Sequence, residues 1–320
     1  MKTIKALILV LAVACVCIGG CGNNDSATTG DTGQAEKYVI GMSQCNLGEP
    51  WRVQMNKDIE TAAAKHPELE IIYKDAQNDT TMQQNQVNEF INLGVDLIII
   101  SPKEALPLTA PVGRAMDAGI PVIVLDRKIK GDKYTCFIGG DNVKIGEEAG
   151  KYMVKLLNGK GKIVELKGLM TSTPAIERHE GFMKGIEGSE IEIIFDADCH
   201  WLEPDAQSEM ASALSRFPNA GDIDAVYAHN DPSAHGAYSA ARLKGREKEI
   251  KFIGIDALPH EGVRYVRDGM LTATFEYPTG GAKGIEVALQ ILNGESVEKN
   301  ITLGTRVFTA DNVESGGEAL

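Results

Sequence analysis

Hydrophobic and polar positions alternate along the chain in blocks that predict strands and helices in turn. Short runs without polar residues, such as Val122–Leu125, are typical of strands buried on both faces of a parallel sheet. Longer segments with apolar residues at helical spacing lie between them, as in Thr80–Leu93, which Gly94 is expected to end. The blocks follow one another with short connections from about Tyr38 onward.

This alternation predicts an α/β protein with parallel sheets and right-handed crossovers. The predicted strands are Tyr38–Met42, Leu69–Tyr73, Asp96–Ile100, Val122–Leu125, Tyr134–Gly139, Lys162–Leu166, Ile191–Phe195, Ala225–Ala228, Phe252–Ile255 and Leu271–Phe275. The predicted helices are Trp51–Lys65, Thr80–Leu93, Leu106–Ala118, Val143–Leu157, Ala175–Gly185, Asp205–Phe217 and Ser233–Lys244. About ten strands are many for one twisted sheet, and the pattern restarts near Gly139–Asn142, which favours two doubly wound lobes.

The first residues have the pattern of a secretory leader. Lys2 and Lys5 precede an apolar run from Ala6 to Ile18, which is too short to span a bilayer but suits a signal peptide of residues 1–20. It ends in Ile18-Gly-Gly-Cys21, which resembles a bacterial lipobox and implies that Cys21 is acylated; an ordinary secretory leader is the alternative. Residues 21–36 are rich in small polar residues and predict a flexible tether.

Composition and charge indicate an acidic globular protein. The chain of 320 residues is long enough for two domains, and its net charge of −13 becomes more negative when Lys2 and Lys5 leave with the leader. An acidic surface argues against nucleic acid or anionic lipid as a partner. We therefore expect no nucleic acid partner, and contact with a membrane only through the lipid anchor.

Three cysteines remain after the leader and Cys21 are set aside. Cys45, Cys136 and Cys199 lack the spacing of a zinc site. One disulfide is compatible with an oxidising compartment, although the sequence does not choose the pair. Buried free thiols are the favoured interpretation.

Catalytic motifs give little support to an enzyme. The chain has no Gly-rich dinucleotide fingerprint after the first strand, no Walker A motif, no nucleophile elbow and no zinc-protease helix motif. His229 and His235 have weak metal spacing and are better explained as satisfied or surface histidines. Cys199 and His200 are adjacent and point apart, which does not suit a nucleophile and its base. We predict no catalytic residues, no metal site and no cofactor.

Polar and aromatic residues follow the predicted strands instead, at the edge where open α/β sheets bind ligands. The candidate binding residues are Glu49, Trp51, Arg52, Ser101, Asp126, Arg127, Arg178, Trp201, Asn230, Asp256 and Glu276. Individually each has a structural alternative. Asp126 and Arg127 could form an ion pair at a strand end, Trp51 could belong to the core, and Asp231 before Pro232 could cap a helix.

Together these side chains have the chemistry of a sugar site. Two neighbouring hydroxyls can donate to one carboxylate, and an arginine can donate two hydrogen bonds to hydroxyl or ring oxygens. The indoles of Trp51 and Trp201 can stack on the apolar face of a sugar ring. Because a polyol is neutral, the buried carboxylates and guanidiniums must also neutralise one another.

The chain resembles the type 1 periplasmic binding proteins, specifically the sugar-binding lipoproteins of ABC importers, over nearly all of Lys37–Val307. The resemblance rests on several motifs in order. They are Gly41-Met-Ser-Gln, Ile98–Pro102, Pro121–Arg127, Asp141-Asn142, Glu165-Leu-Lys-Gly, Arg178-His-Glu-Gly-Phe, Ala225–Asp231, Ile253-Gly-Ile-Asp256 and Gly281-Ala-Lys-Gly284. Trp51-Arg52 and Val226–Asp231 are most similar to the galactofuranose-binding branch.

The resemblance implies two lobes joined by three crossovers, near Gly139–Asp141, Glu276–Pro278 and Thr302–Thr305. The first lobe would hold residues 37–140 with 277–302, and the second 141–276 with 303–320. The implied ligand residues are those at the strand ends, with Asp126 and Arg127 on one lobe and Asn230 and Asp256 on the other. Glu49 and Ser101 replace asparagines of the ribose-binding branch and Glu276 replaces a glutamine, which favours a ligand with more hydroxyl donors or an amine.

The implied function is an extracytoplasmic solute-binding protein that captures a monosaccharide or polyol by hinge closure and delivers it to an ABC permease. It would be a monomer at the cell surface or in the periplasm, lipid-anchored after signal-peptide cleavage. The alternative is a sugar-sensing lipoprotein that signals to a receptor or histidine kinase.

Overall fold

A computed structural model describes residues 37–320, so the predicted signal peptide, Cys21 and the tether lie outside the described residues. The strands in chain order are β1 Tyr38–Gln44, β2 Leu69–Asp75, β3 Leu97–Ser101, β4 Val122–Leu125, β5 Cys136–Gly140, β6 Lys160–Lys167, β7 Glu190–Asp198, β8 Ala225–Ala228, β9 Lys251–Asp256, β10 Ala273–Glu276, β11 Asn300–Leu303, β12 Arg306–Thr309 and β13 Glu318–Ala319. The helices are α1 Pro50–Ala63, α2 Thr80–Leu93, α3 Ala105–Asp117, α4 Asn142–Leu156, α5 Thr173–Gly185, α6 Glu203–Arg216, α7 Asp231–Leu243, α8 Gly262–Arg267 and α9 Gly281–Leu292.

The strands form two separate sheets, as the sequence predicted. The first has the order β11-β5-β4-β3-β1-β2 and is parallel throughout. The second has the order β13-β12-β10-β9-β8-β6-β7, in which β12 and β13 run antiparallel at one edge. Strands β3, β4 and β8 are buried at every position because helices cover both faces of the sheets, as the runs without polar residues indicated.

The chain passes between the two lobes at three places in the described residues. It leaves the first sheet after β5 and enters α4, which packs on α5 beside the second sheet. It returns after β10 through α9, which packs on α1, and crosses again between β11 and β12. The fold is therefore the expected α/β arrangement of two doubly wound lobes with three crossovers.

The sequence prediction missed helix α9 and several short elements near the C-terminus. Helix α8 has six residues, and β11, β12 and β13 have four or fewer. The missed strands contain polar residues, so they lack the continuous apolar run by which four-residue strands such as β4 were predicted. The antiparallel edge of the second sheet consequently had no signal in the hydrophobic pattern.

Candidate functional site

A cavity lies between the two lobes where the carboxyl ends of the parallel strands face each other. It contains about 270 Å³ of space free of protein atoms. Its lining residues are Glu49, Trp51, Arg52, Asp126, Arg127, Pro174, Arg178, Trp201, Asn230, Asp256 and Tyr277. Nine of the eleven candidate residues line it, because each lies at or just after a strand end, or in the first two turns of a helix, at this edge.

A buried ion cluster forms the wall that the first lobe contributes. Arg52 Nη1 lies 2.8 Å from Asp126 Oδ2 and donates to Ser101 Oγ, also at 2.8 Å. Arg52 Nε lies 3.5 Å from Glu49 Oε2, and Asn46 donates to the other oxygen of Glu49 at 2.8 Å. Burial alone would raise the pKa of Asp126, but the charges of the adjacent arginines lower it, so Asp126 stays a carboxylate.

Arg127 uses only one side of its guanidinium within the protein. Its Nη1 donates to the carbonyl of Lys103 at 3.0 Å. Its Nε and Nη2 are buried without a hydrogen-bond partner, since Asp126 and Glu49 lie 3.7 and 3.9 Å away. Unpaired guanidinium N–H groups inside a protein are costly, so this pair of donors is suited to oxygens of a bound ligand.

Arg178 is the corresponding guanidinium of the second lobe. Its Nε donates to Asn142 Oδ1 at 2.9 Å, and its Nη1 donates to the carbonyl of His229. The same Nη1 lies 4.0 Å from Asp256 Oδ1. Its central carbon lies 5.4 Å from the centroid of the Trp201 ring, so Arg178 is fixed on several sides.

Asp256 is the carboxylate that the second lobe exposes to the cavity. Burial raises its pKa well above the usual value, and the charge of Asp231 raises it further despite the opposing charge of Arg178. A carboxyl group of this kind gains from donors that solvate its charge. Hydroxyl groups of a ligand in the cavity can supply them.

Asn230 connects the cavity to a helix start. Its Oδ1 accepts a hydrogen bond from the backbone of Ser233, which caps helix α7. Its Nδ2 donates to the carbonyl of Trp201 at 3.1 Å. The indole N–H of Trp201 is buried and has no partner, so it is another donor available to a ligand.

Three of the cavity residues have left-handed backbone conformations. The φ angles are 66° at Asp126, 72° at Trp201 and 124° at Asp256. Such conformations cost about 1–3 kcal/mol for residues other than glycine and are concentrated at binding and catalytic sites. Their occurrence in both lobes around one cavity is an independent sign of a functional site.

The structure places two candidate residues outside the cavity lining. Ser101 is fully buried behind Arg52 and Asp126, where it orients both side chains. Glu276 is turned away and forms a two-pronged ion pair with Arg306 at 2.7 and 2.9 Å. Successive side chains at a strand end point to opposite faces, so the next residue, Tyr277, reaches the cavity instead.

Tyr277 was not among the predicted residues, although it is central to the site. Its hydroxyl donates to Asp126 Oδ1 at 3.0 Å and accepts from Asn142 Nδ2 at 3.3 Å. Its carbonyl accepts from the indole of Trp51 at 2.7 Å, and the two rings stack with centroids 5.3 Å apart. The available signal was its position, an aromatic residue before Pro278 in a predicted crossover.

The histidines and cysteines behave as the sequence interpretation expected. His229 is fully buried, contacts Glu165 through Nε2 at 3.0 Å, and accepts from the backbone of Gly168. His235 pairs with Glu203 at 2.8 Å. Cys45, Cys136 and Cys199 are buried free thiols. Within residues 37–320 we find neither a group of three potential metal ligands nor a helix long and apolar enough to cross a bilayer.

The charges around the cavity cancel once Asp256 is ionised, which burial opposes and hydroxyl donors of a ligand favour. Arg52, Arg127 and Arg178 face Glu49, Asp126 and Asp256, and all six are buried. A ligand with a full charge would upset this balance in a region of low dielectric constant. The cavity is therefore suited to a small neutral ligand that carries many hydrogen-bonding groups.

Comparisons with known proteins agree with this description. Residues 40–296 match the profile of a family described as periplasmic binding protein domain. The chain is 29% identical over 309 residues to the ribose import binding protein RbsB of Bacillus subtilis (strain 168), a match that covers 95% of this chain and 99% of that protein.

Two solved structures superpose closely on this one. The fructose-binding periplasmic domain of a hybrid two-component system has a TM-score of 0.83 and 46% identity, over 87% of this chain and 92% of that domain. An ABC transporter solute binding protein from Bacillus halodurans C-125 with bound myo-inositol has a TM-score of 0.83 and 33% identity, over 89% of this chain and 98% of that protein.

Proposed function

The chain belongs to the periplasmic binding protein family, and from this premise we propose that it binds a neutral monosaccharide or cyclic polyol between its lobes and delivers it to an ABC permease. Two of the proteins to which it is similar support the class of ligand, since their names specify ribose and myo-inositol. Their names as an import binding protein and a transporter solute binding protein support the role in uptake.

The observation that supports the proposal most is that the cavity combines balanced charge with hydrogen-bond donors that have no partner. Arg127 Nε, Arg127 Nη2 and Trp201 Nε1 are buried N–H groups without partners. Asp256 offers acceptor oxygens close to Arg178. A polyol supplies oxygens to these donors and hydroxyl protons to this acceptor, and it leaves the net charge unchanged.

The binding residues of the proposal are drawn from both lobes. Direct contacts to the ligand are assigned to Glu49, Trp51, Arg52, Asp126, Arg127, Arg178, Trp201, Asn230, Asp256 and Tyr277. Ser101 acts behind Arg52 and Asp126, and Glu276 supports the crossover through Arg306. The lobes are assigned as residues 37–140 with 277–302 and residues 141–276 with 303–320.

Ligand capture follows from this division. Arg127 lies on one lobe and Asp256 on the other, so only the closed arrangement satisfies hydrogen bonds to both sides of a ligand. The ligand thereby stabilises the closed arrangement, which a permease can recognise. Nothing in this mechanism requires bond cleavage, so the protein is proposed to be a binding protein and not an enzyme.

Signalling is a second candidate function with a specific observation behind it. The fructose-binding domain at 46% identity belongs to a hybrid two-component system. A sugar-sensing lipoprotein would use the same cavity and closure but would contact a receptor or histidine kinase. Deletion of the gene distinguishes the two, because a transport protein is required for uptake of the labelled sugar whereas a sensor is required for sugar-induced transcription.

The proposal also covers export and lipid anchoring through the N-terminal residues. We assign residues 1–20 to a signal peptide and Cys21 to the lipidated first residue of a monomeric protein held at the membrane outside the cytoplasm. Mass spectrometry of the mature N-terminal peptide tests the assignment. A diacylglyceryl mass on Cys21 supports it, and an unmodified N-terminus contradicts it.

Calorimetric titration with a panel of neutral sugars tests the ligand class. The panel contains ribose, galactose, fructose, galactofuranose and myo-inositol, with glucose 6-phosphate as a charged control. We expect saturable binding of at least one neutral member and none of the phosphate ester. Preference for the charged compound contradicts the proposal.

A further inference from the structure

Asp231 is a buried carboxylate outside the cavity with an unusually specific set of partners. It is fully buried, and its two oxygens accept different donors. Oδ1 accepts from Thr274 Oγ1 at 2.6 Å, and Oδ2 accepts from the backbone N–H of Ala257 at 2.7 Å. The second bond ties Asp231 to the residue that follows Asp256.

Helix capping does not explain this side chain. Asp231 is the first residue of helix α7, but Asn230 already caps the helix by accepting from the backbone of Ser233. The Asp231 carboxylate is directed instead towards β10 and the end of β9, where Thr274 and Ala257 lie. Its side-chain contacts therefore hold the loop after β9 and strand β10, and neither is made to the helix to which Asp231 belongs.

The loop after β9 requires an anchor because its backbone is strained. Asp256 has a φ of 124° and Ala257 a φ of 54°, and neither is a glycine. Conformations of this kind persist only where surrounding contacts enforce them. The bond from Ala257 N–H to Asp231 is such a contact, and it acts directly on the backbone that carries the Asp256 side chain.

The sequence also leaves room for this carboxylate. A Cβ atom at Gly254 would lie 2.2 Å from Asp231 Oδ1, and one at Gly262 would lie 1.8 Å from Asp231 Oδ2. Both distances are far below any van der Waals contact, so the two positions accommodate the carboxylate only as glycines. The two glycines, Thr274 and Ala257 together form a cradle for one side chain.

We propose that Asp231 is a positioning residue that holds the Asp256 carboxylate in its place in the cavity and thereby sets how tightly the ligand binds. The proposal rests on the proposed function, since it assumes that Asp256 accepts ligand hydroxyls. Asp231 acts through its hydrogen bond with the Ala257 N–H, which holds the adjoining backbone of Asp256. Asp231 itself does not contact the ligand.

Electrostatics and positioning make opposite predictions for the loss of this charge. Burial raises the pKa of Asp231 to about 8, so Asp231→Asn removes a charge only from the molecules in which this group is ionised. Where it is ionised, its charge raises the pKa of Asp256. Electrostatics alone therefore predicts unchanged or tighter hydroxyl binding in the variant. The other charged groups that act on Asp256 are Arg178, Glu49 and Glu261. They remain in an Asp231 variant, so weaker binding after neutralisation is the signature of lost positioning.

A double-mutant cycle measures whether Asp231 acts through Asp256. The variants are Asp231→Asn, Asp256→Ala and their combination, with affinity for the best sugar of the panel measured by calorimetry, or by ligand-induced thermal shift at high sugar concentration for weak binders. Thr274→Val is a second test of the cradle that leaves every charge in place. Asp224→Asn is the matched control, because Asp224 Oδ2 accepts from the backbone of Lys162 at 2.7 Å at the opposite end of the same sheet.

We expect Asp231→Asn to weaken binding about tenfold in the parent protein and less than about twofold when Asp256 is already alanine. Thr274→Val should show the same dependence on Asp256, and it replaces Asp231→Asn in the cycle if that variant does not fold. Asp224→Asn should bind as the parent does. Unchanged or tighter binding in Asp231→Asn, or an equal loss with and without Asp256, overturns the proposal while the proposed function stands. Failure of the parent protein to bind any neutral sugar overturns both.

Discussion

The guanidinium of Arg127, on the first lobe, faces the indole of Trp201, on the second, with 5.5 Å between its central carbon and the ring centroid. Both side chains are buried, and they lie in loops that follow strands of different sheets. The two lobes therefore meet around the cavity, and each contributes unpartnered N–H donors to it. This relationship makes Arg127 the first residue to test.

Replacement of Arg127 by alanine is expected to weaken sugar binding by at least about thirtyfold, because it removes two donors from a buried charged group. The protein should still unfold cooperatively, since Asp126 keeps its ion pair with Arg52 at 2.8 Å. Calorimetry and thermal unfolding provide the two measurements.

Arg114→Ala is the matched control for this substitution. Arg114 is exposed on helix α3 and donates only to Asn88. It should retain the parent affinity. Native-like binding by the Arg127 variant would remove this residue from the proposed site.

Tyr277→Phe isolates the hydroxyl that connects Asp126 with Asn142. The ring remains stacked on Trp51, so the core contact is kept and only the hydrogen bonds are lost. We expect binding to weaken about tenfold, since a hydrogen bond to a charged group is worth about 1.5 kcal/mol or more. Tyr238→Phe is the control, because Tyr238 packs edge-on against Phe252 within the second lobe. Equal affinities for the two variants would show that the Tyr277 hydroxyl has no part in recognition.

Lys128 forms a contact between the lobes at the edge of the cavity. Its ammonium lies 2.7 Å from Glu177, and its backbone N–H donates to Thr173 Oγ1 at 3.0 Å. The ion pair is partly exposed, so its contribution is at most about 1 kcal/mol. Lys128→Ala should therefore speed release of the sugar by up to about fivefold.

Tryptophan fluorescence can follow this release, because the only two tryptophans of the chain, Trp51 and Trp201, line the cavity. Lys133→Ala is the control, since Lys133 forms an exposed pair with Asp117 within the first lobe. Release at the same rate from both variants would contradict a role of Lys128 in holding the lobes together.

Glu165 gives the stability of the second lobe an acid-dependent component. Burial alone would raise its pKa, but hydrogen bonds from His179 and His229 lower the pKa from 4.5 to about 2. A carboxyl whose pKa is lower in the folded state stabilises the fold above its unfolded pKa, and the contribution is lost as the pH falls. We expect a loss of about 3 kcal/mol between pH 4.5 and about pH 2.

Urea unfolding across this pH range measures the effect in the parent protein and in Glu165→Gln, whose stability should depend less on pH. Glu190→Gln is the control, because Glu190 is exposed on the same sheet and pairs only with Lys160. An identical pH dependence in the parent and Glu165→Gln would contradict the assigned role.

The fold was largely predictable because most of its strands are continuous apolar runs that can be recognised in the sequence. A run such as Val122–Leu125 has no polar residue, and helix α2 has the same bounds, Thr80–Leu93, in the prediction and the structure. The antiparallel strands β12 and β13 were missed because they are short and contain polar residues, so neither forms a continuous apolar run. Their pairing depends on contacts between distant parts of the chain.

The site was predictable to the level of strand ends but not of side-chain direction. Ligands bind beyond the ends of parallel strands, and this rule selected the strand end at Glu276. The rule does not say which of the neighbouring side chains there faces the cavity. Tyr277 faces it because the ring stacks on Trp51, a contact across 226 positions of sequence. Ser101 likewise lies at the end of β3, but Arg52 lies between it and the cavity.

Calorimetric titration of residues 37–320 with the panel of neutral sugars and polyols tests the central claim most directly. We expect saturable binding of one molecule per chain, with at least one panel member bound and recovered unchanged after incubation. The absence of heat with every member, or conversion of a bound sugar into a product, would contradict it.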